Sequence, residues 1–391
     1  MPTFSILEKM FSSDYITAFR ELRTPFYFYD IDLLNKTLDI IQEESSRYGF
    51  KIHYAVKANA NKRILEIISA YGFGADCVSG NEIRRALECG IDASDIAFAG
   101  VGKSDEEIKY ALKQGIFSFN VESLPELEVI DELAGKEGSI APVAIRINPN
   151  VEAFTHKYIT TGIEENKFGV NLWELENFLE RLAGMRNISL KGVHFHIGSQ
   201  VRRMTAFRSL CSKVNEIQDW LNNRNVYPGH INMGGGLGIN YENPDEIPDF
   251  RSYFELFNEF LELRPGQNVH FEPGRSVVAQ AGSLITRALY IKNGTQTNFV
   301  IVDAGMTDLI RPALYQAYHK IDNITSDGKE CKYNVVGPIC ESSDSFGKFI
   351  GLNETKRGDL LAIRSAGAYG EIMVSNYNLR DNPGTVYSDE L

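Results

Sequence analysis

Lys57 is the residue whose type and position most directly suggest covalent chemistry. It lies near the end of the apolar run KIHYAVKA (51–58), two positions before Asn59. An amine at the end of a buried strand lies in a region of low dielectric, where its pKa falls and it can form an imine with a carbonyl group. A solvated charge at a strand end is the alternative, so the assignment depends on the surrounding residues.

Two glycine-containing turns could bind an anion. The run MGGGLG (233–238) exposes consecutive backbone N–H groups, as a phosphate cradle requires, although a tight turn without a ligand is the alternative. It does not fit the dinucleotide fingerprint G-x-G-x-x-G, because Ile239 stands at the last glycine position. In the segment EPGR, Glu272 could pair with a pyridinium nitrogen while the Gly274 N–H and Arg275 face a phosphate or a carboxylate. Surface ion pairing is the alternative there.

Two histidines precede a turn that carries a serine. In GVHFHIGSQ (192–200), strand alternation places His194 and His196 on one face, with Ser199 on the turn beyond. Two histidines at this spacing could bind a metal, but such a site needs a further donor, and none stands at a suitable spacing. We therefore predict no metal and favour an imidazole that stacks on a ring.

Three later segments place polar groups in a region that otherwise resembles β structure. They are RPALYQAYH (311–319), GPICESSD (337–344) and SAGAYG (365–370). Cys340 could be a proton donor beside Glu341, a carboxylate that could bind a cation. A structural thiol is the alternative for a single cysteine.

Eight β-branched or aromatic runs must position the earlier residues. They cover residues 51–58, 73–79, 96–101, 117–121, 143–150, 191–198, 230–237 and 269–274. The stretches between them have helical periodicity, with Ser104 and Ser123 placed as N-caps. This alternation predicts the α/β class and a parallel (β/α)8 TIM-type barrel, with a doubly wound sheet as the competing architecture.

The candidate residues favour the barrel because they fall near the carboxyl ends of these runs, where a (β/α)8 barrel builds its site. They are Lys57, Asp76, His196, Gly234, Gly235, Gly236 and Glu272. After about residue 280, short apolar runs alternate with turns, and this predicts a mostly β domain. The runs are LITRALYIKN, QTNFVIVDAG, KYNVVGPIC, DLLAIRSAG and EIMVSNYNL. We predict a barrel over 31–278 and a β domain from 1–30 and 279–391, into which the run 24–30 pairs.

Bulk properties exclude several classes of function. A chain of 391 residues with 43% apolar content can bury a full core. Its net charge of −12 disfavours nucleic acid and anionic membranes as partners. We expect a cytoplasmic protein, because no apolar run is long enough to span a membrane and the N-terminal residues do not resemble a secretory signal. The five widely spaced cysteines predict neither a disulfide framework nor a structural zinc site.

Taken in order, these segments resemble the diaminopimelate decarboxylases, pyridoxal-phosphate-dependent enzymes with an alanine-racemase-like fold. The resemblance spans nearly the whole chain. It runs through TPFYFYD, YAVKANAN, GADCVSGNE, FAGVGKSDEEI, THKYITTGIEENKFG, HFHIGSQ, MGGGLGI, FEPGR, RPALYQAYH, GPICESSD and AGAYGEIMVSNYN. Cys77, Asn81 and the segment VRRMTAF (201–207) depart from the family pattern, and the last of these could alter the fit of the substrate.

The resemblance implies a role for each candidate residue. Lys57 would carry pyridoxal phosphate as an aldimine, His196 would stack on its ring, and Glu272 would pair with the ring nitrogen. Further cofactor contacts are expected from Asp76, Ser199, Gly235, Gly236, Gly274, Arg275 and Tyr369. Substrate contacts are expected from Arg275, Arg311, Tyr315, Glu341 and Tyr369. Cys340 would return the proton after carbon dioxide leaves, and in a homodimer it and Glu341 would reach the partner's barrel.

The distal end of the substrate decides among members of this superfamily. Diaminopimelate ends in an amino-carboxylate, which needs a cation and an anion, here Arg311 and Glu341. The resemblance thus implies decarboxylation of meso-diaminopimelate to L-lysine, the last step of lysine synthesis. A decarboxylase of ornithine, lysine or carboxynorspermidine is the alternative, and a non-catalytic homologue that binds a partner is a more remote one. A racemase is disfavoured because it would need a tyrosine acid in a two-base site.

Overall fold

The computed structural model of the protein describes residues 10–151 and 167–391. The chain divides into two compact units. The barrel unit comprises Leu38–Gly238 and Asp249–Gly274, and the β unit comprises Met1–Thr37, Ile239–Pro248 and Arg275–Leu391. Most of the segment THKYITTGIEENKFG (155–169) lies outside the described residues. None of the helices that are described has the length and apolar character needed to cross a bilayer.

The barrel unit contains a closed barrel of eight parallel strands. They are β2 (Lys51–Ala55), β3 (Gly74–Cys77), β4 (Ile96–Phe98), β5 (Ser118–Val121), β6 (Ala141–Arg146), β7 (Ile188–His194), β8 (His230–Asn232) and β9 (Asn268–Phe271). The barrel closes where β9 pairs with β2. Each strand falls within or overlaps one of the eight predicted runs, so the predicted (β/α)8 barrel is confirmed.

Helices separate the barrel strands. They are α3 (Lys62–Ala70), α4 (Gly80–Glu88), α5 (Asp105–Gln114), α6 (Leu124–Lys136), α7 (Leu175–Leu182), α8 (Met204–Asn222) and α9 (Phe250–Phe260). Both predicted N-caps are confirmed: the Ser104 hydroxyl accepts from the Glu107 N–H, and the Ser123 hydroxyl accepts from the Glu126 N–H. These bonds satisfy N–H groups that the first helical turn leaves free.

The β unit is built around one mixed sheet in the order β12-β15-β10-β11-β13-β14, in which β1 also pairs with β10 and β16 pairs with β1. Its strands are β1 (Phe26–Tyr29), β10 (Gly282–Asn293), β11 (Asn298–Val302), β12 (Ile321–Asn323), β13 (Glu330–Val336), β14 (Ser345–Asn353), β15 (Leu360–Ile363) and β16 (Gly384–Tyr387). The other helices are α1 (Ser13–Glu21), α2 (Ile31–Ser46), α10 (Arg275–Val278) and α11 (Arg311–Tyr315).

The early run 24–30 pairs as predicted, because β1 lies antiparallel to β10 and parallel to β16. Its apolar side chains explain this position. Phe26 and Phe28 are buried against Phe19 of α1, with ring centroids 5.3 and 5.0 Å from that ring. The aromatic cluster therefore fixes α1 on the sheet.

The prediction of a strand in EIMVSNYNL (371–379) is wrong. The segment forms two single 3-10 turns, Glu371–Met373 and Tyr377–Leu379. Asn378 and Leu379 have positive φ angles of 56° and 54°, which no strand adopts. The side chain of Leu379 is 96% exposed, so the apolar pattern of this run does not mark a buried face.

Candidate active site

Lys57 lies just past β2, in the 3-10 turn Val56–Ala58. Its Nζ is 2.9 Å from Oδ2 of Asp76, a fully buried residue of β3. Burial raises the pKa of Asp76, and so does the charge of Glu272, while Lys57 opposes both effects. Oδ1 of Asp76 has no hydrogen-bond partner in the described part of the chain. The Lys57 side chain is 39% exposed, so its amine is oriented and still accessible.

Glu272 follows β9 directly and is surrounded by three donors. Its Oε1 accepts from Nδ2 of Asn120 at 3.1 Å and of Asn232 at 2.6 Å. Its Oε2 lies 2.9 Å from Nε2 of His194. Burial alone would raise the pKa of this carboxyl, but His194 and Lys57 hold it well below the ordinary value. Glu272 is therefore an ionised carboxylate inside the barrel unit.

His194 and His196 belong to different local structures: His194 is the last residue of β7, and His196 lies in the segment beyond it. The strand β7 ends at His194, so His196 lies beyond the region of strand alternation. Nδ1 of His196 accepts a hydrogen bond from the Gly235 N–H at 3.3 Å. Burial, aided by the charge of Arg146, moves the pKa of His196 well below its usual value. His196 is thus a neutral ring beside the glycine turn, with its proton on Nε2.

The glycine turn leaves no room for side chains. A Cβ on Gly235 would lie 2.1 Å from the Glu272 carbonyl oxygen, and one on Gly236 would lie 2.3 Å from the Gly198 carbonyl oxygen. Gly236 also has φ of 106°, which favours glycine. A Cβ on Gly274 would meet Cβ of Ala55 at 2.9 Å. Backbone atoms therefore form this surface, as the anion cradle predicted from the sequence requires.

Two arginines of the β unit meet at one tyrosine. The hydroxyl oxygen of Tyr241 accepts from Nη1 of Arg275 at 2.6 Å and from Nη1 of Arg311 at 2.8 Å. Arg275 opens α10 and its guanidinium lies 4.8 Å from the ring centroid of Tyr369. Nη1 of Arg311 also lies 2.8 Å from Nε2 of His319. Three predicted site residues, Arg275, Arg311 and Tyr369, are thus grouped in this unit.

Tyr315 and Tyr369 are both half-buried in the β unit. Tyr315 ends α11, four residues after Arg311. Tyr369 has a φ of 57° in the left-handed region, which is strained for a residue with a side chain. Such strain is tolerated where the surrounding structure fixes the residue, and it is frequent at functional sites.

Cys340 and Glu341 lie on an exposed loop of the β unit. The Cys340 N–H donates to Oδ1 of Asn378 at 3.3 Å, and Oε1 of Glu341 accepts from the Tyr377 hydroxyl at 2.8 Å. Asp344 fixes the loop by accepting from backbone N–H groups. Cys340 is exposed, so it is not the buried thiol that a structural role would require.

The structure brings the predicted residues together in three groups. The barrel unit groups the residues around the lysine, namely Lys57, Asp76, His196, Gly235, Gly236, Glu272 and Gly274; Ser199 is half-buried on the turn after β7. The β unit holds the arginine group and, separately, the exposed loop. Sequence reasoning missed Asn120, Asn232 and Tyr241; the signal for the two asparagines was a polar residue inside an apolar strand.

Comparisons with known proteins agree with this geometry. Residues 34–279 match the family model of the pyridoxal-binding domain of pyridoxal-dependent decarboxylases. The chain is 57% identical over 379 residues to diaminopimelate decarboxylase from Bacteroides thetaiotaomicron, an alignment covering 96% of this chain and 98% of that protein. The crystal structure of diaminopimelate decarboxylase from Helicobacter pylori complexed with L-lysine has a TM-score of 0.91 at 40% identity, covering 96% of this chain and 94% of that one.

A more distant structure, lysine/ornithine decarboxylase from Vibrio vulnificus complexed with putrescine, has a TM-score of 0.83 at 21% identity, and covers 97% of this chain and 99% of that one. That likeness concerns the fold alone. The lysine beside a buried carboxylate, the ionised glutamate and the bare glycine turn fit a pyridoxal phosphate site. Together with the nearly full-length match to the Bacteroides protein, they lead to one conclusion: the chain belongs to the diaminopimelate decarboxylases, a family of pyridoxal-dependent carbon–carbon lyases.

Proposed function

We propose that this protein decarboxylates meso-2,6-diaminopimelate to L-lysine and carbon dioxide, the last step of lysine biosynthesis. The observation that carries the choice of substrate is the convergence of Arg275 and Arg311 on one tyrosine hydroxyl. Two guanidiniums attract a carboxylate and repel an ammonium group. Diaminopimelate keeps a carboxylate at its non-reacting end, whereas ornithine and lysine carry only an ammonium group there.

Pyridoxal phosphate would be held by the barrel unit. Lys57 supplies the amine, the glycine turn with Ser199 would hold the phosphate, and Glu272 would face the ring nitrogen. When bound, the cofactor supplies an electron sink for the electron pair left by the departing carbon dioxide. The remaining work belongs to the side chains of the protein.

Each side chain has a distinct task in this proposal. Asp76 orients the Lys57 amine through their 2.9 Å contact. The ionised Glu272 would favour a proton on the ring nitrogen of a bound cofactor, because a neighbouring anion favours the charged form of a base. His196 offers a flat, neutral ring for stacking, and Cys340 Sγ returns a proton to the substrate carbon.

The loop with Cys340 and Glu341 supports a homodimer with shared sites. Both residues are exposed in the single chain, where neither could exclude water from a reacting group. Leu379, next to Asn378 and 96% exposed, gives this surface an apolar side chain that a second subunit would cover. We propose that the two residues enter the partner subunit's site. The cytoplasmic location expected from the sequence stays a prediction.

The test is carbon dioxide release by the purified protein loaded with pyridoxal phosphate. meso-Diaminopimelate, L-ornithine, L-lysine and L-arginine are supplied separately. We expect release from diaminopimelate alone, with L-lysine as the product. Release from ornithine or lysine instead would keep the cofactor and fold but overturn the role given to the arginines.

A matched pair of lysine variants controls this experiment. K57A removes the amine beside Asp76, whereas K51A removes an exposed lysine at the other end of β2. We expect K57A to lose the activity and borohydride-stable cofactor labelling, and K51A to keep both. Equal labelling of the two variants would exclude Lys57 as the residue that carries the cofactor.

A further inference from the structure

Tyr241 belongs to a short segment that lies between two barrel strands along the chain but makes its contacts with the β unit. Ile239–Pro248 lies between the barrel strands β8 and β9 along the chain, but it groups with the β unit. Asp245 of this segment lies 2.6 Å from Nη2 of the fully buried Arg364. Nε2 of Gln280 donates to the Pro244 and Glu246 carbonyl oxygens at 2.5 and 2.8 Å. The segment is therefore firmly held on both sides of residue 245.

This anchoring brings the phenol of Tyr241 between two guanidiniums. Its oxygen accepts from Arg275 at 2.6 Å and from Arg311 at 2.8 Å. The guanidinium of Arg311 also lies 5.1 Å from the ring centroid of Tyr241. Two N–H donors occupy the acceptor capacity of the oxygen, and the hydroxyl proton donates to no acceptor in the described residues.

The buried charge of Arg311 meets no anion among its partners in the described part of the chain. Arg311 is 5% exposed, and within residues 10–151 and 167–391 its polar partners are neutral: Tyr241 and His319. His319 is neutral because burial, aided by the charge of Arg311, lowers its pKa to about 3. Burial, with Arg275 also contributing, lowers the pKa of Arg311. A buried cation is costly without an anion, so the arrangement around Arg311 is suited to a bound carboxylate.

We propose that Tyr241 is a positioning and specificity residue for the carboxylate at the non-reacting end of the substrate. Its oxygen sets the separation of the two guanidiniums, and its free hydroxyl proton completes a three-donor site for one carboxylate. This inference rests on the proposed function. It adds a residue that selects an amino-carboxylate end over a plain ammonium end.

The test uses ligands that bind without reaction. L-Lysine keeps the carboxylate of the non-reacting end, whereas 1,5-diaminopentane lacks it. In the Y241F holoenzyme, we expect the inhibition constant of L-lysine to rise about tenfold or more, because a hydrogen bond to a charged group is lost and the arginines are less fixed. The constant for 1,5-diaminopentane should stay within about twofold. The KM for diaminopimelate should rise together with the inhibition constant of L-lysine, and kcat should change less.

The control is Y290F, which removes the same atom from an exposed tyrosine of the β unit. Cofactor absorbance and circular dichroism verify that Y241F is folded. Unchanged lysine inhibition in Y241F would overturn the inference, and so would equal weakening of both ligands, since a merely structural role predicts that. If the wild-type protein itself releases no carbon dioxide from diaminopimelate, the proposed function fails instead, which is a separate result.

Discussion

The carboxylate of Glu272 is buried, yet it stays ionised because His194 and Lys57 hold its pKa below the ordinary value. His194, Asn120 and Asn232 occupy both of its oxygens at 2.6 to 3.1 Å. An anion inside an apolar barrel is expensive without hydrogen bonds, so these three donors offset part of the cost of burying Glu272. They also restrict its orientation, which keeps one charged group at the carboxyl end of β9.

We predict that E272Q lowers kcat for diaminopimelate by about 100-fold or more, the usual range for removing a group that controls a proton. The neutral amide cannot hold a proton on a ring nitrogen, and its NH2 group would face donors. The KM should change little, because Glu272 is not among the proposed substrate contacts, Arg275, Arg311, Tyr315, Glu341 and Tyr369. Steady-state kinetics will test this, with E255Q on the exposed face of α9 as the control. Equal kcat values for E272Q and E255Q would contradict the assigned role.

From the sequence, candidate site residues could be predicted where they stand within a recognisable motif. Lys57 and Glu272 could be predicted because each stands at the end of an apolar run and within a motif that resembles the decarboxylase family. Asn120 and Asn232 were missed because a single amide in a strand has many structural roles. Tyr241 was missed for a different reason: its contacts join residues 34 and 70 positions apart, and a local pattern does not report such contacts.

At the scale of elements, the barrel strands β2, β8 and β9 place His53, His230 and His270 in one layer. Nε2 of His53 lies 2.8 Å from Nδ1 of His270, and the ring centroids of His230 and His270 are 5.1 Å apart. Phe117 stacks among them. Burial, aided by the charge of His53, lowers the pKa of His230 to about 4 and that of His270 to about 2. A cavity of about 600 Å³ connects this layer to solvent.

This layer predicts a loss of stability at mildly acidic pH. The unfolded chain binds protons at these histidines below about pH 6.5, and the folded barrel does not, so stability falls as the pH decreases. With a folded pKa of about 4, His230 alone accounts for about 2 kcal/mol between pH 7.5 and pH 5. H230F keeps a flat ring beside Phe117 and removes this titration. Urea unfolding at both pH values should give a shallower loss of stability for H230F, and parallel losses would exclude His230 as a cause.

The elements themselves were predictable to different degrees. Barrel strands are buried on both faces, so continuous apolar runs identified all eight. In the β unit, β12 and β16 have three and four residues, too few to establish a period. The run EIMVSNYNL has apolar residues at strand-like spacing, but Ile372 and Leu379 are exposed. Burial depends on what packs against a segment, and that information is not local.

At the scale of the whole molecule, a net charge of −12 contrasts with the local positive charge of Arg275 and Arg311. The carboxylate at the non-reacting end of the substrate must therefore be attracted by this local field, because the overall charge of the protein does not favour it. The exposed positions of Cys340 and Glu341 also bear on whether one chain supplies every residue of an active site. If those residues act in the partner subunit, each single chain supplies only part of two sites.

Mixing two inactive variants will test this sharing of sites. K57A lacks the amine, and E341A lacks the loop carboxylate, so each homodimer should be inactive or nearly so. After the subunits are dissociated and reassociated in equal amounts, half of the dimers are mixed, and one of their two sites has both native residues. We expect about a quarter of the wild-type activity per site in that mixture. K57A mixed with K57A/E341A provides the control without native sites. Because a site built from one chain cannot be repaired by mixing, an inactive mixture of well-formed dimers would show that Glu341 acts within its own subunit.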